Sequence, residues 1–164
     1  MAEPDARNET EVEKADRRYD ELLQELRVAQ TGVQFLFAFL LTLAFTQRFP
    51  QITDFQRSIY VGTLLATTVA SALLIGPVPL HRILFHRGLK PRLVREADLM
   101  AKGGLVMLFV AINGAVLLIL DVVLSGVLPY LLSAAVAVWF LLVWLVVPMT
   151  SRERSTSGRV EGVR

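Results

Sequence analysis

Residues 28–46, VAQTGVQFLFAFLLTLAFT, contain no charged side chain. Built as a helix at 1.5 Å per residue, such a stretch reaches about 28 Å, close to the roughly 30 Å of hydrocarbon in a bilayer. Three more uncharged runs follow, at about 58–80, 103–120 and 127–147. In a chain of 164 residues that is 54% hydrophobic and 20% charged, four such blocks leave little for a soluble domain. The expected fold is all-α, a four-helix transmembrane bundle. Because the first run lies behind residues 1–27 rather than a short charged leader, it is expected to be retained rather than cleaved.

The helix carrying the first run starts well before it. Val12, Ala15, Tyr19, Leu22, Leu26, Ala29, Val33 and Leu36 recur at alternating steps of three and four, the signature of a helical seam. Unbroken from about Val12 to Thr46, the helix is about 52 Å long and projects beyond the bilayer as an amphipathic extension; Gly32 is the place where it would bend instead. The seam has two readings. It is a coiled-coil stem for oligomerisation or partner docking, or an amphipathic helix lying on headgroups. The nine carboxylates within the first 25 residues favour protein contact over an anionic membrane surface.

Basic residues set the orientation, because segments rich in Lys and Arg stay in the cytoplasm. Fifteen cations fall in the leading segment (residues 1–27), the middle loop (81–102) and the tail (150–164), whereas the other two loops hold only Arg48 and Arg57. Both termini are therefore expected in the cytoplasm. Arg outnumbers Lys by fourteen to three, a bias expected of a GC-rich bacterial genome, and the expected location is a bacterial plasma membrane.

The chain divides into a disordered start at 1–10, a membrane domain at 11–149 and a disordered basic tail at 150–164. The second span is expected to break or kink at Gly76-Pro77-Val78-Pro79, since proline removes backbone donors. After it, residues 81–102 alternate Ile83, Leu84, Phe85, Leu89, Leu93 and Val94 with cations, as interfacial helices do; Arg82, Arg87, Lys90, Arg92 and Arg95 are the candidate contacts for anionic lipid. The fourth span is expected to stop at Pro148, with Tyr130 and Trp144 as depth anchors and Trp139 packed at mid-membrane. Glu25 and Gly32 are spaced like Glu96 and Gly103, which suggests a parallel repeat of two hairpins.

Polar groups inside a bilayer are costly and often functional. Gln30, Gln34, Thr42 and Thr46 lie at multiples of four on the first span, and Thr63, Thr67 and Ser71 do the same on the second. The two rows either line a narrow hydrated path or let helices pack closely. Asn113 lies near the middle of the third span and needs a partner, most simply on a neighbouring helix; Asp121, at the outer edge, is expected to pair with Arg48 or Arg57.

Other chemistries find no support. The chain has no cysteine, which rules out disulfides and thiolate metal sites. His81 and His86 are five apart, the wrong spacing for a helical metal pair. Nucleophile elbows, phosphate loops and paired catalytic carboxylates are missing, so neither an enzyme nor a cofactor site is expected. The cations flank apolar spans without a recognition module, so no nucleic-acid partner is expected either.

The segment ELLQELRVAQTGVQFLFAFLLT from Glu21 to Thr42, the stretch from Phe55 to Tyr60 and GPVPLHRILF from Gly76 to Phe85 resemble a family of short four-span bacterial integral membrane proteins of unknown function. The resemblance covers nearly everything from Tyr19 to Pro148. Some members carry an automatic label of sodium:proton antiporter, which implies a coupling carboxylate in the membrane; no charged residue lies within the four runs. The expected function is small-ion permeation by a homo-oligomer embedded in membrane lipid. The alternative is a scaffold whose acidic N-terminal helix and basic middle loop bind a cytoplasmic partner or anionic lipid.

Overall fold

The computed structural model describes residues 11–79 and 90–157. Among them there are four long helices and no strand: α1 (Glu11–Ala44), α2 (Asp54–Ile75), α3 (Lys90–Val123) and α4 (Leu128–Ser157), with a 3-10 turn at Phe49–Gln51 between the first two. Three segments are long and apolar enough to cross a membrane, Tyr19–Ala44, Asp54–Pro79 and Arg95–Val123, and Leu128–Trp144 is a shorter apolar helix. The surface agrees, since Phe35, Phe45, Leu65, Leu131 and Trp139 all stand exposed. Side chains of this kind are at home against lipid, which is as apolar as they are.

The first three helices share one packing rule. On α1, Tyr19, Leu26, Val33 and Leu40 are buried at every seventh position, with Leu22, Ala29, Leu36 and Leu43 half-buried between them. Along α2, Tyr60, Thr63, Thr67, Ala70 and Leu74 are buried in steps of three and four, and α3 buries Ala97, Ala101, Gly104, Leu108, Ala111, Ala115 and Leu118 in the same rhythm. A repeat of 3.5 keeps each stripe facing its neighbours along the length of the bundle. Helix α2 packs most extensively against α3, α1 packs against both, and α4 lies mainly against α3.

The N-terminal seam is thus used inside the molecule. Tyr19 clusters with Ala97, Leu26 and Val33 with Ala70, Leu74 and Leu108, and Leu40 with Tyr60 and Leu118. From Tyr19 to Leu40 the seam is therefore taken up by α2 and α3 and not by a coiled-coil partner or headgroups; the side chains of its first positions, Val12 and Ala15, lie outside the described residues. The physical reason is that a 3.5 repeat specifies a helical partner without saying whose it is.

Helix α1 runs through Gly32 without a break, and α1 and α3 each contain 34 residues, about 51 Å at 1.5 Å per residue. Both are longer than the roughly 30 Å of hydrocarbon in a bilayer, and Tyr19 meets Ala97 toward their N-terminal ends. From Lys90 onward the middle segment is therefore the start of the membrane helix itself and not a separate interfacial one. The pairs Tyr19 with Ala97 and Leu40 with Leu118 are 78 residues apart, one heptad more than the 71 that separates Glu25 from Glu96, so the sequence match does not place its residues level. Helix α4 continues past Pro148 to Ser157, since proline within a membrane helix is tolerated. Trp139 is 67% exposed, facing outward instead of packing, because α4 leans on one helix and offers the rest of its girth to lipid. The expected disorder of residues 1–10 falls outside the described residues.

Candidate functional site

Polar side chains of the helices gather at the C-terminal end of α2, on the exposed face of α1, between α2 and α3, at Asn113 and Ser133, and where the start of α2 meets the end of α3. At its C-terminal end, α2 is interrupted at Gly76 and helical backbone resumes over residues 77–79. Proline lacks an N–H, so carbonyls at such a helix end run short of donors. Two side chains of α1 supply them. Gln30 Nε2 donates to the Leu74 carbonyl at 2.7 Å, and the Tyr19 hydroxyl donates to the Pro77 carbonyl. Gln30 therefore leaves the row of the first span and ties α1 to α2. The role of Tyr19 escaped the sequence reading, although a tyrosine in an apolar seam needs a hydroxyl partner and Gly76-Pro77-Val78-Pro79 announces spare acceptors.

Gln34 and Thr42 remain on the exposed face of α1, and Thr46 is exposed in the turn that follows it. Thr42 Oγ1 donates to the Ala38 carbonyl and Thr46 Oγ1 to that of Leu43, both at 2.8 Å, while Gln34 has no partner among the described residues. The row of the second span is oriented differently. Thr63 and Thr67 are buried and Ser71 is half-buried; Thr67 Oγ1 bonds the Thr63 carbonyl at 2.7 Å, and a methyl group added at Gly114 would overlap Thr63 Oγ1. These are close-packing positions between α2 and α3.

Asn113 does not bridge helices. Its Nδ2 donates to the Phe109 carbonyl one turn back at 2.8 Å, and its buried Oδ1 has no partner. A carbonyl four residues earlier is simply the nearest acceptor to an amide on a helix. Ser133 Oγ on α4 is buried and unpartnered as well. Beside them Phe109, Phe140 and Trp144 form a triangle with centroids 5.8–6.3 Å apart, so Trp144 joins α4 to α3.

At the N-terminal end of α2, Thr53 and Gln56 cap the helix reciprocally, with Gln56 N to Thr53 Oγ1 at 3.2 Å and Thr53 N to Gln56 Oε1 at 3.1 Å. The Gln56 Nε2 then reaches Asp121 Oδ2 at 2.9 Å. Asp121 is thus taken by an amide from the neighbouring helix, not by Arg48 or Arg57 as its charge suggested; Arg57 lies 3.7 Å from Asp54. An apolar cleft of about 60 Å³ opens nearby among Leu43, Phe49, Ile52 and Leu118, under Thr46 and Arg48.

On the cytoplasm-expected side, Asp20, Glu21, Glu25 and Arg95 are exposed. Lys90 and Arg92 begin α3, and Arg82, Arg87, His81 and His86 lie outside the described residues. No group of three or more metal-ligating side chains occurs among the described residues. What the membrane-depth groups offer is dipolar: amides, hydroxyls and backbone carbonyls.

No curated protein and no solved structure matches the chain. A family model matches residues 8–148, nearly the whole membrane domain, and the chain belongs to that family, the family of unknown function DUF6328.

Proposed function

We propose that the chain is a four-span subunit of a homo-oligomer in a bacterial plasma membrane, with both termini in the cytoplasm, that carries small ions along the outer face of α1. The supporting observation is the strip Gln34, Ala38, Thr42 and Thr46, whose members are all exposed while the matching row of α2 is turned inward. Several copies with α1 toward a common axis enclose that strip, and its amides and hydroxyls replace part of an ion's hydration. The fifteen-to-two split of cations supports the orientation. The test is flux of sodium, potassium and protons into liposomes carrying the purified full chain. Thr42→Leu, which narrows the strip, is expected to cut flux at least about tenfold with the oligomeric mass unchanged. Absence of flux from correctly inserted wild-type protein beside a working control channel sinks the reading.

The second reading is a scaffold. It draws support from the stub that α1 and α3 build beyond the hydrocarbon, where Asp20, Glu21 and Glu25 are exposed. Replacing these three carboxylates by lysine is expected to release any co-purifying cytoplasmic partner; retention of every partner removes the support.

A further inference from the structure

Gln34 stands seven residues past Arg27 and ten before Ala44, about 10 and 15 Å along the helix from those two residues, which places it within the hydrocarbon. The other amide and hydroxyl side chains of this span are satisfied inside the chain: Gln30 by the Leu74 carbonyl, Thr31 by Arg27, Thr42 by Ala38 and Thr46 by Leu43. Gln34 is exposed and has no such bond. An amide without a partner in an apolar medium costs several kcal/mol, and acyl chains offer nothing to bond. Its face of the helix also carries Ala38 and Leu41, both exposed, and lies about 100–120° around the axis from the buried stripe of Val33 and Leu40.

We infer that this outer face of α1, centred on Gln34 and Ala38, is where copies of the chain associate, with Gln34 carboxamides hydrogen-bonding across the contact. Three properties fit a second copy. A carboxamide holds donors and an acceptor together, so it complements itself. Copies inserted in one orientation bring Gln34 to one depth, with no charged residue between Arg27 and Arg48 to oppose contact. Ala38, one turn along, presents only a methyl group, which lets the backbones approach. The apolar seam of α1 is already occupied by α2 and α3, and on its exposed side, which also carries Val28, Phe35 and Phe39, this is the part that holds an unpartnered amide. The inference deepens the oligomer of the proposed function but does not require that ions pass.

The full chain lacks cysteine, so single introduced thiols report contact directly. In liposomes, Ala38→Cys is expected to form disulfide-linked dimers on mild oxidation, whereas Trp139→Cys, on the outward face of α4, is not. Gln34→Leu is expected to weaken association about tenfold, read as dilution-dependent energy transfer between labelled copies, while Gln34→Asn retains it. Equal cross-linking at the two positions, preferential cross-linking at residue 139, or unchanged association of Gln34→Leu overturns the inference. Cross-linking at residue 38 without flux retires permeation and leaves this contact standing; flux with neither effect does the reverse.

Discussion

Gly114→Ala is expected to destabilise the bundle by about 2–3 kcal/mol, at the upper end of what overpacking a core with one methyl group costs. The added carbon would overlap Thr63 Oγ1 and come within 3.3 Å of Thr63 Cβ. Thr63 is 3% exposed and lies against Gly114 between α2 and α3, the most extensively packed pair of helices, so it has little room to turn away. The helices must separate or Thr63 must leave its rotamer. Thr63→Ala in the same chain removes the overlapping oxygen, and the double variant is expected to recover most of the loss, a coupling of at least about 1 kcal/mol in a double-mutant cycle. Gly62→Ala is the control of opposite sign, because nothing lies within 4 Å of its added carbon; losing a helical glycine there is neutral or stabilising by up to about 1 kcal/mol. Unfolding of the purified chain in detergent reads all four variants. A Gly114→Ala protein as stable as Gly62→Ala would mean that α2 and α3 are not in this contact.

Such effects show where the sequence was legible. The four apolar runs and the seam of α1 could be read directly, because in residues 11–27 polar and apolar side chains alternate and the period stands out. The partner of the seam could not. Its counterpart on α3 is largely Ala97, Ala101, Gly104, Ala111 and Ala115, small residues inside an apolar segment, which carry almost no hydropathy contrast. Trp139 was misplaced for the same reason: α4 is apolar on every side, so its sequence does not reveal which side packs. Gln30 and Gln34 are one turn apart and look equivalent by spacing. They differ by about 40° around the axis, enough to turn one toward Leu74 and the other outward. Within the candidate site, the polar strip on α1 was legible and its division between helix-end bonding and an open face was not.

Tyr19→Ala is expected to cost about 3–5 kcal/mol, the range for removing a buried aromatic ring, and its effect should be concentrated where α1 and α3 start and α2 ends. The ring is 3% exposed and packs with Ala97, Leu22 and Leu23, and its hydroxyl holds the Pro77 carbonyl just beyond the interruption of α2. Tyr19→Phe separates the two contributions: it keeps the packing and removes only the hydroxyl's bond to the Pro77 carbonyl, for about 0.5–1.5 kcal/mol. Gln30→Leu removes the neighbouring bond to Leu74 at a similar or smaller cost, since Gln30 is only half-buried. The two carbonyls belong to one helix end, so the losses should not add. With either bond present α1 still supports the end of α2, and with both gone these two ties between the helices are lost. Limited trypsin digestion measures this, because Arg17 and Arg27 lie on that part of the helix and are exposed. Cleavage in helices needs local opening, so the Tyr19→Phe/Gln30→Leu chain should be cut at Arg17 and Arg27 faster than the product of the two single effects predicts. Strictly multiplicative rates would show that Tyr19 and Gln30 act independently, and that the Gly76-Pro77-Val78-Pro79 break does not couple α1 to α2.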